Sequence, residues 1–323
     1  MLESDELPVK LGTNRRVGQP VNMNGLWSHA PVAVWWAQRK KINIAVVHRV
    51  DFKKAGLLTA LHLSFMIPLT SPASFLLTAL ILFSSIFGRY ALFSWVFWWL
   101  FKVSMKDQFA HRAVHTRPRK PGQDLREIGW STLTSVIFTA IALGMIAAYQ
   151  AGYTRVYVDL SQYPLLWYPA SIVLVLFIHE TYYYWLHRWM HRPGVYKRVH
   201  QTHHDSITTS AWTSFSFHPL ESTLQAIVVP ALTFVLPLHV SAVGLLLLIM
   251  TITSAINHLN TEIYPRDFDR HWLGRWLIGA THHSLHHTQF RFNYGLYFTF
   301  WDKWMKTESP DFHRLFGEKT GKK

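Results

Sequence analysis

Residues 172–204 read Ile-Val-Leu-Val-Leu-Phe-Ile-His179-Glu180-Thr-Tyr-Tyr-Tyr-Trp-Leu-His187-Arg-Trp-Met-His191-Arg-Pro-Gly-Val-Tyr-Lys-Arg-Val-His200-Gln-Thr-His203-His204. An apolar run of helical length passes without a break into histidines spaced three and four apart. On a helix such spacings put imidazoles on one face, where they can converge on one ion. A third cluster, His283-Ser-Leu-His286-His287, repeats the His-x-x-His-His pattern of His200, His203 and His204. The eight imidazoles of these clusters exceed what one tetrahedral zinc can use, so the pattern points to two metals.

Working outward, the chain has 323 residues, half of them hydrophobic, and only 15% charged, against a usual share of about 25%. Six apolar runs lie at roughly 55–70, 74–101, 128–150, 164–186, 223–238 and 240–257. The last two are short for a hydrocarbon core that wants about 20 residues, and so are candidates for re-entry. The net charge of +14 is spread around the runs rather than gathered on one face or tail, with Lys102, Lys106, Arg112, Arg117, Arg119 and Lys120 in the 102–127 loop. That placement follows the positive-inside rule and argues against nucleic acid as the partner. The 151–163 loop, with Arg155 and Asp159 as its charged residues, falls on the other side. Counting passes then brings all three clusters to the cytoplasmic face.

The expected fold is an all-α integral membrane protein, with four to six transmembrane or re-entrant helices and a cytoplasmic helical cap holding a polyhistidine dimetal site. Residues 1–54 read as a basic cytosolic or interfacial leader, with Trp27, Trp35 and Trp36 in a short interfacial segment and no cleavable signal peptide. Residues 55–127 read as an N-terminal membrane hairpin with its basic loop, 128–307 as the catalytic domain, and 308–323 as a polar tail. Arg89, inside the second run, either snorkels or marks a kink. With no cysteine, thiolate metal sites and iron–sulfur clusters are excluded within the chain, so electrons would come from a separate donor.

Other histidines are weighed singly. His218 and His258 stand where the chain returns to the cap and are further candidate ligands; His179 and His282 are candidates for supporting positions. Glu180, Asp205, Glu221 and Glu262 can orient imidazole N–H groups. His111 and His115 share the four-residue spacing but stand in a loop rich in proline and lysine, and are read as structural, as are His29, His48, His62, His239, His271 and His313. The 179–183 stretch lacks the second histidine of a zincin, which argues against a metalloprotease. Neutral imidazoles suit iron, zinc and copper, and disfavour magnesium or calcium.

The stretch from Glu180 to His204, His218-Pro-Leu-Glu221, and His283 to Asp302 with Asn293-Tyr294-Gly295 and Trp301-Asp302-Lys303 together resemble the fatty acid hydroxylase/sterol desaturase superfamily over roughly 165–307. The Asn-Tyr-Gly-x-Tyr-Phe-Thr-x-Trp-Asp segment is similar to sterol C5-desaturase members. Where the family has an aspartate before the first box, this chain has Glu180. The resemblance implies a non-haem di-iron oxygenase that uses O2 and two electrons to hydroxylate or desaturate a membrane lipid of sterol or fatty-acyl type. The implied ligands are His187, His191, His200, His203, His204, His218, His258, His283, His286 and His287. Two iron ions are the implied cofactors, with zinc able to replace them in purified protein. A cytochrome b5-like or ferredoxin-type protein is the implied donor. The inner or cell membrane of a bacterium, or the endoplasmic reticulum of a eukaryote, is the implied location. The competing reading is a membrane metal transporter or metal-binding protein, whose ligands would sit within the spans near the midplane.

Overall fold

The computed structural model describes residues 57–321. Among them every regular element is helical and no β-strand occurs. The principal helices are α1 (Leu57–Met66), α2 (Pro72–Trp99), α3 (Gln123–Gln150), α4 (Trp167–Met190), α5 (Pro219–Ala226), α6 (Val228–Val235), α7 (Val240–Asn257), α8 (Ala280–Gln289), α9 (Phe300–Trp304) and α10 (Phe312–Thr320). The expected leader lies outside the described residues.

Local chemistry sets the helix starts. At α2, Ser71 and Ser74 form a reciprocal capping box and Pro72 supplies a pre-set φ at the first helical position. Ser71-Pro72 therefore ends one element and begins the next. A π-helical turn over Leu100–Ser104 continues α2 toward the basic loop. Gly122, with φ at 71°, turns the chain into α3. Residues 123–127, expected in the loop, are already helical.

Three helices are long and apolar enough to cross a membrane: Pro72–Ser104, Gln123–Gln150 and Val240–Asn257. Their outward faces carry exposed Leu76, Leu77, Leu80, Leu92 and Trp95 on α2, and Leu133 and Val136 on α3, as a lipid-facing surface requires. The fourth apolar run forms α4, which is not among the three because its second half carries His179, Glu180 and Tyr182 to Tyr184. The fifth run folds as the short pair α5 and α6.

Two apolar clusters hold the bundle together. Phe65, Leu82, Leu143 and Ile146 pack α1, α2 and α3; Ile172, Val175, Val229 and Leu246 pack α4, α6 and α7. At one end, Tyr157 exchanges backbone hydrogen bonds with Leu238 (3.1 Å) and Val240 (3.0 Å), tying the 151–163 segment to the α6–α7 corner. At the other, the basic loop lies on the segment after α7, with Arg112 Nη1 donating to Tyr264 O (2.9 Å) and His115 N to Asn260 Oδ1 (2.9 Å). Glu127 gathers Arg119, Gln123, Ser206, Ser210 and Thr213 around one buried carboxylate.

Two expectations need correction. Arg89 neither snorkels nor kinks its helix: α2 runs through it unbroken, and the side chain is buried. Residues 308–323 are not a polar tail: Phe312–Thr320 is the helix α10, and Phe312 and Phe316 pack on Leu285 of α8. The polar composition hid two aromatics one helical turn apart. Phe316→Ala should therefore cost about 3–5 kcal/mol, read as a drop in thermal unfolding temperature of the purified protein; an unchanged midpoint would mean the segment does not pack.

Candidate metal centre

Nine imidazoles converge in two groups, His187, His191, His200, His204 and His286 in one, and His203, His258, His283 and His287 in the other. Within each group the candidate ligand atoms all lie within 4.8 Å of one another. His191 is partly exposed and the other eight are buried.

The sequence spacing does not map one cluster to one group. His187 and His191, from the end of α4, both enter the five-histidine group. The His-x-x-His-His clusters instead straddle the two. His200 and His204 turn to the larger group while His203 turns to the smaller. His283 and His287 turn to the smaller group while His286 turns to the larger. Positions four apart share a helix face, whereas an adjacent residue points about 100° away. Each such cluster therefore serves two centres at once and holds them side by side. His258, at the end of α7, completes the smaller group.

Ring nitrogens define what the groups can bind. Nε2 atoms face inward: His187 to His200 at 3.0 Å, His191 and His204 to His286 at 3.1 Å each, His203 to His258 at 3.2 Å, His258 to His283 at 2.9 Å, and His283 to His287 at 3.2 Å. Several Nδ1 atoms face outward onto carbonyl oxygens: His187 on Tyr294 (2.8 Å), His203 on Ser216 (3.3 Å), His258 on Ser254 (2.7 Å) and His286 on Phe292 (2.7 Å). A carbonyl only accepts, so each of these Nδ1 atoms carries the proton and the inward Nε2 is a bare lone pair in the neutral ring. His203 and His258 thus aim two lone pairs at each other across 3.2 Å. Acceptor facing acceptor is repulsive unless a cation lies between them, which is the arrangement of a histidine metal site with its tautomers set from outside. His200 Nδ1 meets Glu221 Oε1 at 2.7 Å, a carboxylate–histidine pair of the same kind.

The rings are also held neutral. Burial, and then the neighbouring imidazoles, keep His200, His203, His204, His283, His286 and His287 well below the ordinary histidine range. Burial lowers His258 to about 4.

Other candidate residues take different places. His218 is in neither group: its Nδ1 accepts from Leu220 N (3.3 Å) at the start of α5, beside Trp130. Glu180 meets no imidazole and accepts from the backbone N–H groups of Leu296 (3.0 Å) and Tyr297 (2.8 Å). Glu262 accepts from Tyr264 N and from Thr281 N (2.9 Å) in the first turn of α8, where a carboxylate also complements the helix dipole. Asp205 joins neither group; its carbonyl accepts from Lys120. His282 is buried behind α8 against Phe312, with neither ring nitrogen hydrogen-bonded. His179 Nδ1 lies 3.2 Å from the Tyr297 hydroxyl. His115 Nε2 donates to Ser284 O (3.1 Å), so this residue braces α8 without entering a group. His239 caps α7 and His313 pairs with Asp269, as structural residues should.

The backbone carbonyls that orient the imidazoles carry no side-chain signal, and sequence reading missed them. Their supports left one: the Asn-Tyr-Gly…Trp-Asp segment. Asp302 accepts from the N–H groups of Tyr294 and Gly295, each at 2.9 Å, and so places the Tyr294 carbonyl on His187. A Cβ on Gly295 would come within 2.6 Å of Phe298 O, which explains the glycine. Asn293 adopts φ 61°, a left-handed conformation asparagine tolerates.

An apolar cavity reaches the smaller group at His258. It is lined by Ile86, Phe138, Met145, Val229, Leu247 and Met250, with His179, Tyr183 and Tyr297 on the α4 side. None of the nine converging histidines lies within the three long apolar helices, a placement unlike a midplane transport site.

Residues 172–307 match the fatty acid hydroxylase family model. The chain is similar to a Delta(7)-sterol 5(6)-desaturase of Gibberella zeae, 28% identical over 203 residues, covering 62% of this chain and 61% of that one. It is similar to the lathosterol oxidase of Mus musculus, 32% identical over 203 residues, with 62% and 60% covered. A Delta(7)-sterol 5(6)-desaturase of Aspergillus fumigatus is 30% identical over 207 residues, with 59% and 65% covered. The chain thus spans about three fifths of the length of these relatives. No solved structure matches it.

Metal removal makes a directional prediction. Histidines free to protonate when unfolded, near pH 6.5, but held neutral by burial when folded, stabilise the fold above that pH and lose the contribution as pH falls toward about 4, the folded value of His258. Chelator-treated protein should lose about 1.4 kcal/mol per pH unit for each such group between about pH 6.5 and 4. Metal-loaded protein should resist to lower pH, because ligand and proton compete. Thermal unfolding across that range checks both; equal acid sensitivity of the two forms would mean that the imidazoles hold no ion.

Proposed function

We propose, from the match of residues 172–307 to the fatty acid hydroxylase family model and the similarity to sterol desaturases, that this protein is a membrane oxidoreductase which hydroxylates or desaturates a lipid of sterol or fatty-acyl type. The observation that carries the reading is the pair of inward-facing imidazole groups beside a cavity whose lining is mostly apolar. Iron bound by the two groups would supply the activation of O2 and the cleavage of an unactivated C–H bond. Histidine is the ligand type that such a metal and its competitor zinc both accept.

The chain's own residues do the rest. His187, His191, His200, His204 and His286 would hold one ion, and His203, His258, His283 and His287 the other. The Tyr294, Ser216, Ser254 and Phe292 carbonyls, with Glu221, keep the Nε2 lone pairs turned inward and the Nδ1 protons outward. Burial of the rings excludes bulk water, and the cavity brings a methylene up to His258. Hydroxylation consumes O2, two electrons and two protons and releases one water; desaturation consumes the same and releases two. The electrons come from a separate donor, cytochrome b5-like or ferredoxin-type, since the chain has no cysteine. The contact of the basic loop with the segment after α7 and with α8 supports a cytoplasmic site, because that loop is the one the positive-inside rule assigns to the cytoplasm.

Lipid mass spectrometry of cells with and without the protein, grown under O2, should show a lipid that gains one oxygen or loses two hydrogens. His203→Ala and His286→Ala, one from each group, should each remove the product while the protein still accumulates in membranes. Glu221→Gln should lower metal affinity or activity by about 10- to 100-fold. Retained turnover in both histidine variants would overturn the assignment.

A further inference from the structure

Arg89 sits deep within the longest apolar helix. It lies 17 residues after Pro72 and 15 before Ser104, which at 1.5 Å per residue is about 25 and 22 Å from the two ends. Its Nε donates to Thr251 Oγ1 at 2.8 Å, and Thr251 Oγ1 in turn donates to Leu247 O. Among the described residues, Nη1 and Nη2 have no hydrogen-bond partner and no carboxylate lies within ion-pair distance. The residue is only 7% exposed and lines the apolar cavity. A guanidinium is not deprotonated in proteins, and an isolated buried charge is costly enough that intramembrane arginines pair or face a ligand path. Here the fork faces the cavity.

We propose that Arg89 receives the carboxylate of an acidic lipid through Nη1 and Nη2. The pair is end-on and bidentate, the match that a planar fork makes best. A neutral hydroxyl would satisfy one N–H and leave the charge uncompensated. Thr251, which fixes the guanidinium, is seven residues before His258 on the same helix, or on the order of 10 Å. The apolar chain of the ligand runs that distance past Ser254 to the histidines, beside Phe217, which packs near His203. The inference rests on the lipid-oxidation reading for what happens to that chain, but the binding itself does not.

The test measures binding without turnover, with the full-length protein in phosphatidylcholine nanodiscs, metal loaded and no electron donor present. Oleate, methyl oleate and cholesterol are compared. Wild type should bind oleate at least about tenfold tighter than its methyl ester, or roughly 1.4 kcal/mol; R89Q should make the two equal, and R89K should keep part of the preference. Cholesterol affinity should be the same in all three proteins. Equal binding of acid and ester by wild type, which requires no variant, overturns the proposal; so does a preference that survives R89Q, or tight cholesterol binding that R89Q removes. In a separate reaction supplied with O2 and a chemical reductant, absence of oxidised product with the acid preference intact would count against the oxidation reading and leave the carboxylate site standing.

Discussion

Acceptor meets acceptor at the centre of this protein. The His203 and His258 rings each give their Nδ1 proton to a carbonyl and are left with lone pairs 3.2 Å apart, a contact that only a cation makes favourable. Much of the cap exists to impose it. The carbonyls of Ser216, Ser254, Phe292 and Tyr294 must stand at set places, and three of these belong to irregular backbone. Asp302 fixes the Tyr294 turn, Glu180 fixes the next two residues, and Glu262 fixes the start of α8. A binding site that repels itself when empty needs a scaffold stiff enough to hold it open, and buried carboxylates on backbone N–H groups provide that stiffness.

How much of this was legible in the sequence depends on the kind of information involved. Spacing of four between His187 and His191, and the repeated His-x-x-His-His, are local, so the convergence of these imidazoles was readable, as were most helices from their apolar runs. The division between centres was not. It depends on where His203 and His204, or His286 and His287, point around a helix relative to partners from other elements. The carbonyl supports were invisible for a different reason, since every residue has one. His218, a histidine at a chain return, lies outside both groups and accepts from Leu220 N at a helix start, a capping role available to any short polar acceptor. Phe312 and Phe316 were hidden within a polar stretch, because a short helix needs only one apolar stripe to dock.

The distribution of buried charge carries the argument one step further. Divalent ions on nine neutral imidazoles would keep their full charge, and among the described residues no carboxylate belongs to either group to offset it. Of the buried acids around the cap, Glu221 touches an imidazole directly, while Glu180, Glu262 and Asp302 act through backbone N–H groups and Glu127 through hydroxyls, an amide and Arg119. They brace the surrounding backbone without offering an oxygen to either group, so the candidate ligand atoms are nitrogen alone. Nothing comparable surrounds Arg89, whose side chain meets one threonine and the cavity. The histidine groups have acids of the chain beside them, and the cavity lining has none, which is why the proposed partner of Arg89 is a charge carried by the ligand.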